Sequence, residues 1–204
     1  MYAINKRLST SIAAVAMMFS SLTATAQEEH PAQALVQEAI TEMLAYLADN
    51  IDEIRADKSL VDAKAEEVIV PHIDFVAMTQ LSVGKNWRVA DKTQQTELVE
   101  EFKTLLVNTY TSAMTLYSGE AIEFEPFRPE SREDRAVVRT AFKQNSGSDV
   151  PVTYKLREKG KWGIYDIEVA GLSLVSNFRQ KFTDEINANG IDGLLDFLRK
   201  RNNR

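Results

Sequence analysis

The spacing of hydrophobic residues changes once within the segment Trp162–Phe182. In its first half, apolar and polar positions alternate, which is typical of a strand with one buried face. The two expected sides of this strand are Tyr165, Ile167 and Val169, and Ile164, Asp166 and Glu168. After Ala170-Gly171 the apolar residues recur every three or four positions, as on one face of a helix; they are Leu174, Val175, Phe178 and Phe182. The pattern predicts a strand that turns into an amphipathic helix.

Helical spacing also dominates the first half of the chain. The predicted helices are Pro31–Asn50, Ser59–Val70, a short helix from Phe75 to about Gly84, and Asp91–Gly119. Ser59, Asp74 and Thr93 are suitable N-caps, and Gly119 is a suitable C-terminal cap. The last of these helices is the longest, roughly 36 Å for its seven or so turns. We expect it to form the back wall of the domain.

Four strands follow, joined by short polar connections that favour an antiparallel meander. Their predicted ranges are Ala121–Phe127, Arg135–Gln144, Val150–Glu158 and Trp162–Val169. Each strand has one apolar face, which we expect to pack on helices, and one charged face, which we expect to be solvated. Two helices, Leu172–Ala188 and Ile191–Lys200, end the chain. The predicted fold class is α+β, with one curved antiparallel four-stranded sheet packed by several helices.

Residues 1–26 have the features of a secretory signal peptide. Lys6 and Arg7 precede an apolar run from Leu8 to Phe19, and Ala24-Thr25-Ala26 has the small-x-small form of a signal peptidase site. The apolar run is too short for a transmembrane anchor and is interrupted by Ser and Thr. We therefore predict cleavage after Ala26, export, and a single mature domain over residues 27–204.

The chain is acidic and has no cysteine. Its formal charge is −6, and removal of Lys6 and Arg7 with the signal peptide takes it to −8. This charge argues against nucleic acid as a partner and against simple electrostatic docking on anionic lipid. The absence of cysteine excludes a lipoprotein anchor on a mature N-terminal Cys and leaves the stability of the fold to packing.

Residues that could carry catalysis or bind a metal are sparse. A zinc site needs several His, Cys or carboxylate ligands at set spacings, and the chain has two histidines, His30 and His72. Gly171-Leu172-Ser173 begins like a nucleophile elbow, but the second glycine of that motif is missing. No P-loop or dinucleotide-binding pattern occurs.

Two carboxylates keep alternative interpretations open. His72 beside Asp74 could transfer a proton, or Asp74 could simply cap the next helix. Asp166 lies in an otherwise aromatic and aliphatic strand. It could be a general base for a hydrophobic substrate, or it could lie on the solvated face or pair with an arginine such as Arg139 or Arg179. An enzyme with a small cone-shaped fold is therefore one hypothesis for the function.

The chain resembles the MlaC family, also called the toluene-tolerance family, across nearly the whole mature sequence. The matching segments, in order, are Val68–Phe75 (VIVPHIDF), Gly84–Arg88 (GKNWR), Phe102–Gly119, Val152–Leu156 (VTYKL), Trp162–Asp166, Gly171–Val175 (GLSLV), Asn177–Arg179 and Gly190–Leu194 (GIDGL). The departures are Ile73, where an aromatic residue is common in the family, and Gln144–Asp149, which looks like a variable loop.

The resemblance implies a periplasmic, non-enzymatic carrier with phospholipid as cargo and no cofactor. It implies exchange of lipid with an outer-membrane lipoprotein–porin complex and with an inner-membrane ABC transporter that includes a substrate-binding ring. Such exchange would maintain the lipid asymmetry of the outer membrane. We expect a monomer that does not bind nucleic acid.

A carrier of this kind needs a deep hydrophobic cavity. Exposing acyl chains to water costs ~0.8 kcal/mol per CH₂, or roughly 24 kcal/mol for two chains of about fifteen carbons. We expect the long helix Asp91–Gly119, the sheet, and the helix Leu172–Ala188 as a lid to enclose the cavity. The predicted lipid contacts are Leu106, Tyr110, Met114, Val138, Val152, Tyr154, Ile167, Val169, Leu174 and Phe178. A third hypothesis is an adaptor that binds only proteins, which would carry no lipid when purified.

Overall fold

The computed structural model describes residues 29–144 and 147–203, so the predicted signal peptide lies outside the described residues. Four helices come first: α1 (Pro31–Ala56), α2 (Ser59–Val68), α3 (Phe75–Val83) and α4 (Lys92–Met114). The strands and the last helix follow: β1 (Ala121–Phe124), β2 (Arg135–Lys143), β3 (Val150–Glu158), β4 (Trp162–Val169), β5 (Leu172–Ser173) and α5 (Leu174–Asn202). Short 3₁₀ helices follow α2 and α3, at Val70–His72 and Gly84–Arg88. The α+β class is confirmed.

The strands form one open antiparallel sheet in the order β1-β2-β3-β4-β5. The prediction of four strands is wrong, because Leu172 and Ser173 form a fifth strand instead of the first turn of a helix. The connection between β4 and β5 is only two residues long, since Val169 pairs with Leu172. Ala170 and Gly171 both have positive φ, 50° and 79°, as a tight hairpin turn requires. The chain therefore extends the sheet once more before the helix begins.

A β-bulge at Tyr165 decides which residues of β4 share a face. Ile164 and Asp166, on either side of Tyr165, pair with two consecutive residues of β3, Lys155–Leu156. The extra residue in β4 reverses the alternation at this point. Ile164 consequently lies on the same face as Ile167, whereas simple alternation predicts opposite faces.

The boundaries of the helices follow their caps. α4 begins one residue after Asp91, whose carboxylate accepts a hydrogen bond from the Gln94 N–H at 2.8 Å, while the Gln94 side chain accepts one from the Asp91 N–H at 3.1 Å. The N-cap is therefore Asp91 and not Thr93, and the helix ends at Met114, before Gly119. With 23 residues, α4 is about 35 Å long, and it is not the longest helix, because α1 has 26 residues.

The other helix boundaries depart from prediction by a few residues. α1 continues to Ala56, beyond the predicted end at Asn50. Ser59 is the first residue of α2 and does not cap it; its N–H and hydroxyl both donate to Asp57. α5 is broken at Gly190, where φ is 73° and ψ is −173°, so it consists of two helical segments joined near the predicted break.

The buried apolar residues form three clusters. The helical cluster lies between α3, α4 and α5, where the ring of Phe102 contacts Phe178 and Phe182 edge to face, at centroid distances of 4.8 and 5.0 Å. The sheet cluster lies between the apolar face of the sheet and the first half of α1. A third cluster joins the second half of α1 to α2 and to the end of α4.

Candidate functional site

The apolar face of the sheet is covered at one end and increasingly open towards the other. Across the strands its residues form four rows, from the covered to the open end: Ala136, Leu156 and Ile164; Val138, Tyr154 and Ile167; Phe124, Thr140, Val152 and Val169; Ile122, Phe142 and Val150. The first row is fully buried, and every residue of the last row is half-buried. The last row is therefore the part of the apolar face that the rest of the fold covers least.

The cover at the closed end is the first half of α1. Ala32 and Val36 are buried there against the sheet. His30, which caps α1 by accepting a hydrogen bond from the Ala32 N–H, stacks on Phe127 at 4.4 Å and meets Trp162 edge to face at 5.2 Å. By contrast, the main packing partners of α4 are the helices α2, α3 and α5. The long helix, which we predicted to be the back wall of the domain, therefore packs mainly on the other helices.

The predicted lipid contacts are divided between the three clusters. Five of the ten lie together on the sheet, in the second and third rows of the apolar face: Val138, Val152, Tyr154, Ile167 and Val169. Leu106, Tyr110 and Phe178 belong to the helical cluster, and Met114 packs on the third cluster. Leu174 is half-buried in the first turn of α5. The structure thus brings the sheet residues into one surface, separate from the helix residues.

Two hydroxyl groups lie in the middle of this apolar face. Thr140 and Tyr154 are buried side by side on β2 and β3. Burial raises the pKa of the Tyr154 phenol to about 12, and the hydrogen bond with Thr140 opposes this shift only in part. Burial also raises the pKa of Tyr110. Tyr154 is consequently neutral at physiological pH, and the face carries no charge there.

The opposite face of the sheet is charged but is not simply solvated. Asp166 is only 5% exposed and accepts hydrogen bonds from the Ser173 hydroxyl at 2.9 Å, from the Val175 N–H at 3.2 Å and from Lys155 Nζ at 3.3 Å. Lys155 also binds Glu168. Burial alone would lower the pKa of Lys155, but the hydrogen bond with Glu168 and the charge of Asp166 raise it. Asp166 therefore ties the start of α5 to β3.

Asp166 has different partners from those expected. The structure pairs it with Lys155 and not with Arg139 or Arg179, and Arg179 instead donates to the backbone carbonyl of Leu81 at 2.7 Å. Both oxygens of Asp166 are occupied by donors that hold secondary structure together. These contacts explain in structural terms why a carboxylate is buried at this position.

Asp74 caps α3, as one of the two interpretations of the His72–Asp74 pair predicts. Its Oδ1 accepts a hydrogen bond from the Ala77 N–H at 2.9 Å, and its Oδ2 binds Arg157. His72 lines a small surface pocket of about 160 Å³ with Glu38, Ala39, Glu42, Glu67 and Val68. Within residues 29–144 and 147–203, no group of three or more potential ligands is arranged to hold a metal ion.

One groove on the surface is lined mostly by polar residues. It has a volume of about 430 Å³, and its lining consists of Lys58, Leu105, Asn108, Thr109, Ser112, Arg201 and Asn202. None of the predicted lipid contacts lines it. In the part of the chain that the structure describes, no helix is long and apolar enough to cross a membrane.

The sequence pattern put one member of the apolar face on the wrong side, and three others were not among the predicted lipid contacts. Ile164 was assigned to the wrong side because the bulge at Tyr165 leaves no mark in the hydrophobic pattern. Phe124, Phe142 and Ile122 continue the rows on β1 and β2. Their alternation with charged residues places them on the apolar faces of their strands, and the register shows how far they extend the surface.

The sequence matches a known family over most of its length. The MlaC protein family profile matches residues 37–200. The toluene tolerance protein ttg2D of Pseudomonas putida is 27% identical over 176 residues, which is 85% of this chain and 80% of that protein. The intermembrane phospholipid transport system binding protein MlaC of Haemophilus influenzae is 22% identical over 178 residues, 85% of this chain and 83% of that protein.

The fold is similar to that of a solved structure. The phospholipid-binding protein from Ralstonia solanacearum, determined in complex with a phospholipid, superposes with a TM-score of 0.77 and 31% sequence identity. The similarity covers 85% of this chain and 97% of that one. Because the family profile spans most of the chain, and because this relative shares both sequence and fold over nearly its whole length, the chain belongs to the MlaC family.

Proposed function

We propose that this protein is a periplasmic carrier that binds phospholipid by its acyl chains and moves it between the outer and inner membranes. The observation that carries the proposal is the similarity, in sequence and fold, to the Ralstonia solanacearum protein that was determined with a bound phospholipid. The family relatives named for toluene tolerance and for intermembrane phospholipid transport support the same function.

The graded apolar face of the sheet is the proposed site for the acyl chains. Burying an acyl chain stabilises it by ~0.8 kcal/mol per CH₂, so a long uncharged surface is needed. The rows of β2, β3 and β4 supply such a surface, with the predicted contacts Val138, Val152, Tyr154, Ile167 and Val169 near its centre. From the helices, we propose that Leu106, Tyr110, Met114, Leu174 and Phe178 complete a cavity when lipid enters between the sheet and the helices.

The proposal includes the partners and the route of export. A signal peptide cleaved after Ala26 would deliver the chain to the periplasm. There it would act as a monomer and exchange lipid with an outer-membrane lipoprotein–porin complex and with an inner-membrane ABC transporter that carries a substrate-binding ring. Phospholipid is the cargo, and the proposed function needs no cofactor and no catalytic residue. The structural roles of Asp166 and Asp74 support a carrier over an enzyme.

The first test is the mass of the protein purified from cells without detergent. Native mass spectrometry followed by organic extraction should reveal one stoichiometric phospholipid adduct. Val169→Trp, which enlarges a half-buried residue of the third row, should reduce the bound lipid to less than half. The matched control is Val137→Trp, a half-buried valine on the opposite face of β2, which should bind lipid as the unaltered protein does. A chain that carries no lipid and gains none from vesicles would contradict the proposal and favour the protein-only adaptor.

A further inference from the structure

Two segments of this acidic chain contain no acidic residue. Residues 75–90, which form α3 and the following 3₁₀ helix, carry Lys85 and Arg88, and residues 169–183, which include the start of α5, carry Arg179 and Lys181. In a protein with an overall charge of −6, two such stretches concentrate positive charge locally. Among the residues that the structure describes, none of these four cations forms a salt bridge, in contrast to Lys64, Lys143 or Lys155 elsewhere.

The two segments lie against each other in the fold. Arg179 Nε donates to the carbonyl of Leu81 at 2.7 Å, and Val175 and Phe182 pack with Phe75 in the helical cluster. The two segments are therefore neighbours in the fold, and we call their exposed side chains the basic surface: the exposed side chains of residues 75–90 and 169–183.

The basic surface also carries most of the exposed large hydrophobic residues. Six such residues occur in the described parts of the chain, and four of them are on these two segments: Val76 (48% exposed), Leu81 (37%), Val89 (74%) and Leu172 (70%). Exposed apolar side chains among lysines and arginines are typical of surfaces that lie on a membrane interface. Leu172 also pairs with Val169, so the surface adjoins the open part of the apolar sheet face.

The carboxylates that flank the two segments in the sequence are hydrogen-bonded within the fold. Asp74 binds Arg157, Asp91 caps α4, Glu168 binds Lys155, and Asp184 accepts hydrogen bonds from Gln180. At physiological ionic strength, charges more than about 8 Å apart are largely screened from one another. The attraction between a membrane and the side of the protein that faces it then depends on the local charge of that side, although the net charge of the chain is repelled by anionic lipid.

We infer that the basic surface docks the protein on an anionic phospholipid bilayer, with the open end of the apolar face held near the lipids that it exchanges. Lys85 and Arg88 would bind lipid phosphates, and Val89 and Leu172 would enter the interfacial layer. This inference rests on the proposed function for its purpose, but the docking itself can be measured without cargo.

The test is flotation of the purified mature chain with vesicles, made either of phosphatidylcholine or of an equal mixture of phosphatidylcholine and phosphatidylglycerol. The unaltered chain should float only with the mixed vesicles, and high salt should release it. Lys85→Gln/Arg88→Gln should weaken this binding about tenfold, because each basic residue near the surface contributes to attraction. The control is Arg128→Gln/Lys159→Gln, which removes the same charge from exposed sites elsewhere and should change binding less than twofold.

Apolar contact is tested separately by Val89→Ser, which should weaken binding several-fold, against Leu116→Ser, an exposed leucine at the end of α4, which should not. Thermal unfolding of each variant verifies that it is folded. Equal flotation with neutral and anionic vesicles, equal effects of the two charge variants, or no flotation at all would overturn the inference. Because lipid extracted from the same samples reports cargo independently, absence of cargo with intact flotation would count against the proposed function and not against docking.

Discussion

The guanidinium group of Arg157 on β3 binds Oδ2 of Asp74 through two nitrogens, at 2.9 and 2.8 Å, while Oδ1 of the same carboxylate caps α3. One side chain thus fixes a helix start and joins that helix to the sheet. The neighbouring strand leaves room for it: a Cβ at Gly163 would lie 3.3 Å from the Asp74 Cβ. The segment Pro71–Asp74 therefore runs beside β4, where Ile73 forms a parallel β-bridge with Ile164 and the Asp74 N–H donates to the Ile164 carbonyl at 2.8 Å.

This arrangement predicts different effects for two substitutions of Asp74. Asp74→Asn keeps an oxygen that can cap α3 but loses the charge, and should lower the free energy of unfolding by about 1 kcal/mol. Asp74→Ala loses both interactions and should lower it by about 2–3 kcal/mol. Urea denaturation measures both. Asp134→Ala, which removes an exposed partner of Arg132, should cost about 0.5 kcal/mol or less. Equal losses for the two Asp74 variants would contradict a separate role in capping.

Asp166 forms a second link between the sheet and the helices, and it is buried more deeply than Asp74. Asp166→Ala removes the acceptor of Ser173, Val175 and Lys155 together, and should lower the free energy of unfolding by about 3 kcal/mol, because a buried donor set loses its partner. Glu168→Ala, which removes only the more exposed partner of Lys155, should cost about 1 kcal/mol or less.

Folded Asp166→Asn should also retain bound phospholipid after purification. This result would separate the structural role of Asp166 from catalysis. A variant that folds normally but whose lipid is altered chemically, when compared with the lipid of the unaltered protein, would instead support the enzyme hypothesis.

We predict that a substitution in the turn between β4 and β5 can raise the free energy of unfolding. Ala170 has a φ of 50°, a conformation that is unfavourable for alanine and that glycine and asparagine adopt more readily. Ala170→Asn should therefore raise the free energy of unfolding by about 0.5–1 kcal/mol. Gly171→Ala should lower it by about 1 kcal/mol through its φ of 79° alone, since no atom lies within 4 Å of the added Cβ. Thermal unfolding measures both changes, and a destabilised Ala170→Asn would show that the turn differs in solution.

The raised pKa of Tyr154 leads us to predict that the free energy of unfolding falls at high pH. Its pKa is raised from 10.0 to about 12 in the folded state, so its contribution is complete below pH 10 and is lost as pH rises from 10 towards 12. The loss should reach about 3 kcal/mol, and it should be missing in Tyr154→Phe. The measurement is urea denaturation across this range, with tyrosinate absorbance as the probe of ionisation. If both proteins lost stability in parallel, the phenol would not be the cause.

Helix and strand positions could be predicted because their periodicity is strong over long stretches. The ranges of β3 and β4 agree with the structure, and the break at Gly190 lies between the two predicted final helices. The exact ends depend on capping interactions that a pattern does not reveal. Asp91, for example, prevails over Thr93 because Gln94 completes the reciprocal pair of hydrogen bonds. The fifth strand was missed because two residues are too few to show a period.

The faces of the sheet were harder to predict than its strands. A single extra residue, Tyr165, shifts the pairing of β4 and moves Ile164 to the apolar side. The charged face was expected to be solvated because its residues are Lys, Arg, Asp and Glu, but the starts of α3 and α5 cover part of it. Such docking depends on contacts between distant segments, and no local spacing encodes it.

The two sides of the sheet are attached to their helices by different kinds of contact. On the charged side, α3 and α5 are held by directional ion pairs and hydrogen bonds at Asp74 and Asp166. On the apolar side, in the described residues, no side-chain hydrogen bond joins α1 to a strand, and the contact is made by Ala32, Val36 and the stacked ring of His30. Non-directional contacts of this type can be exchanged for others of equal area. We therefore expect the contact between α1 and the sheet to adjust more readily than the contacts at Asp74 and Asp166. In the proposed carrier, a displacement of α1 along the sheet would make room for lipids of different thickness.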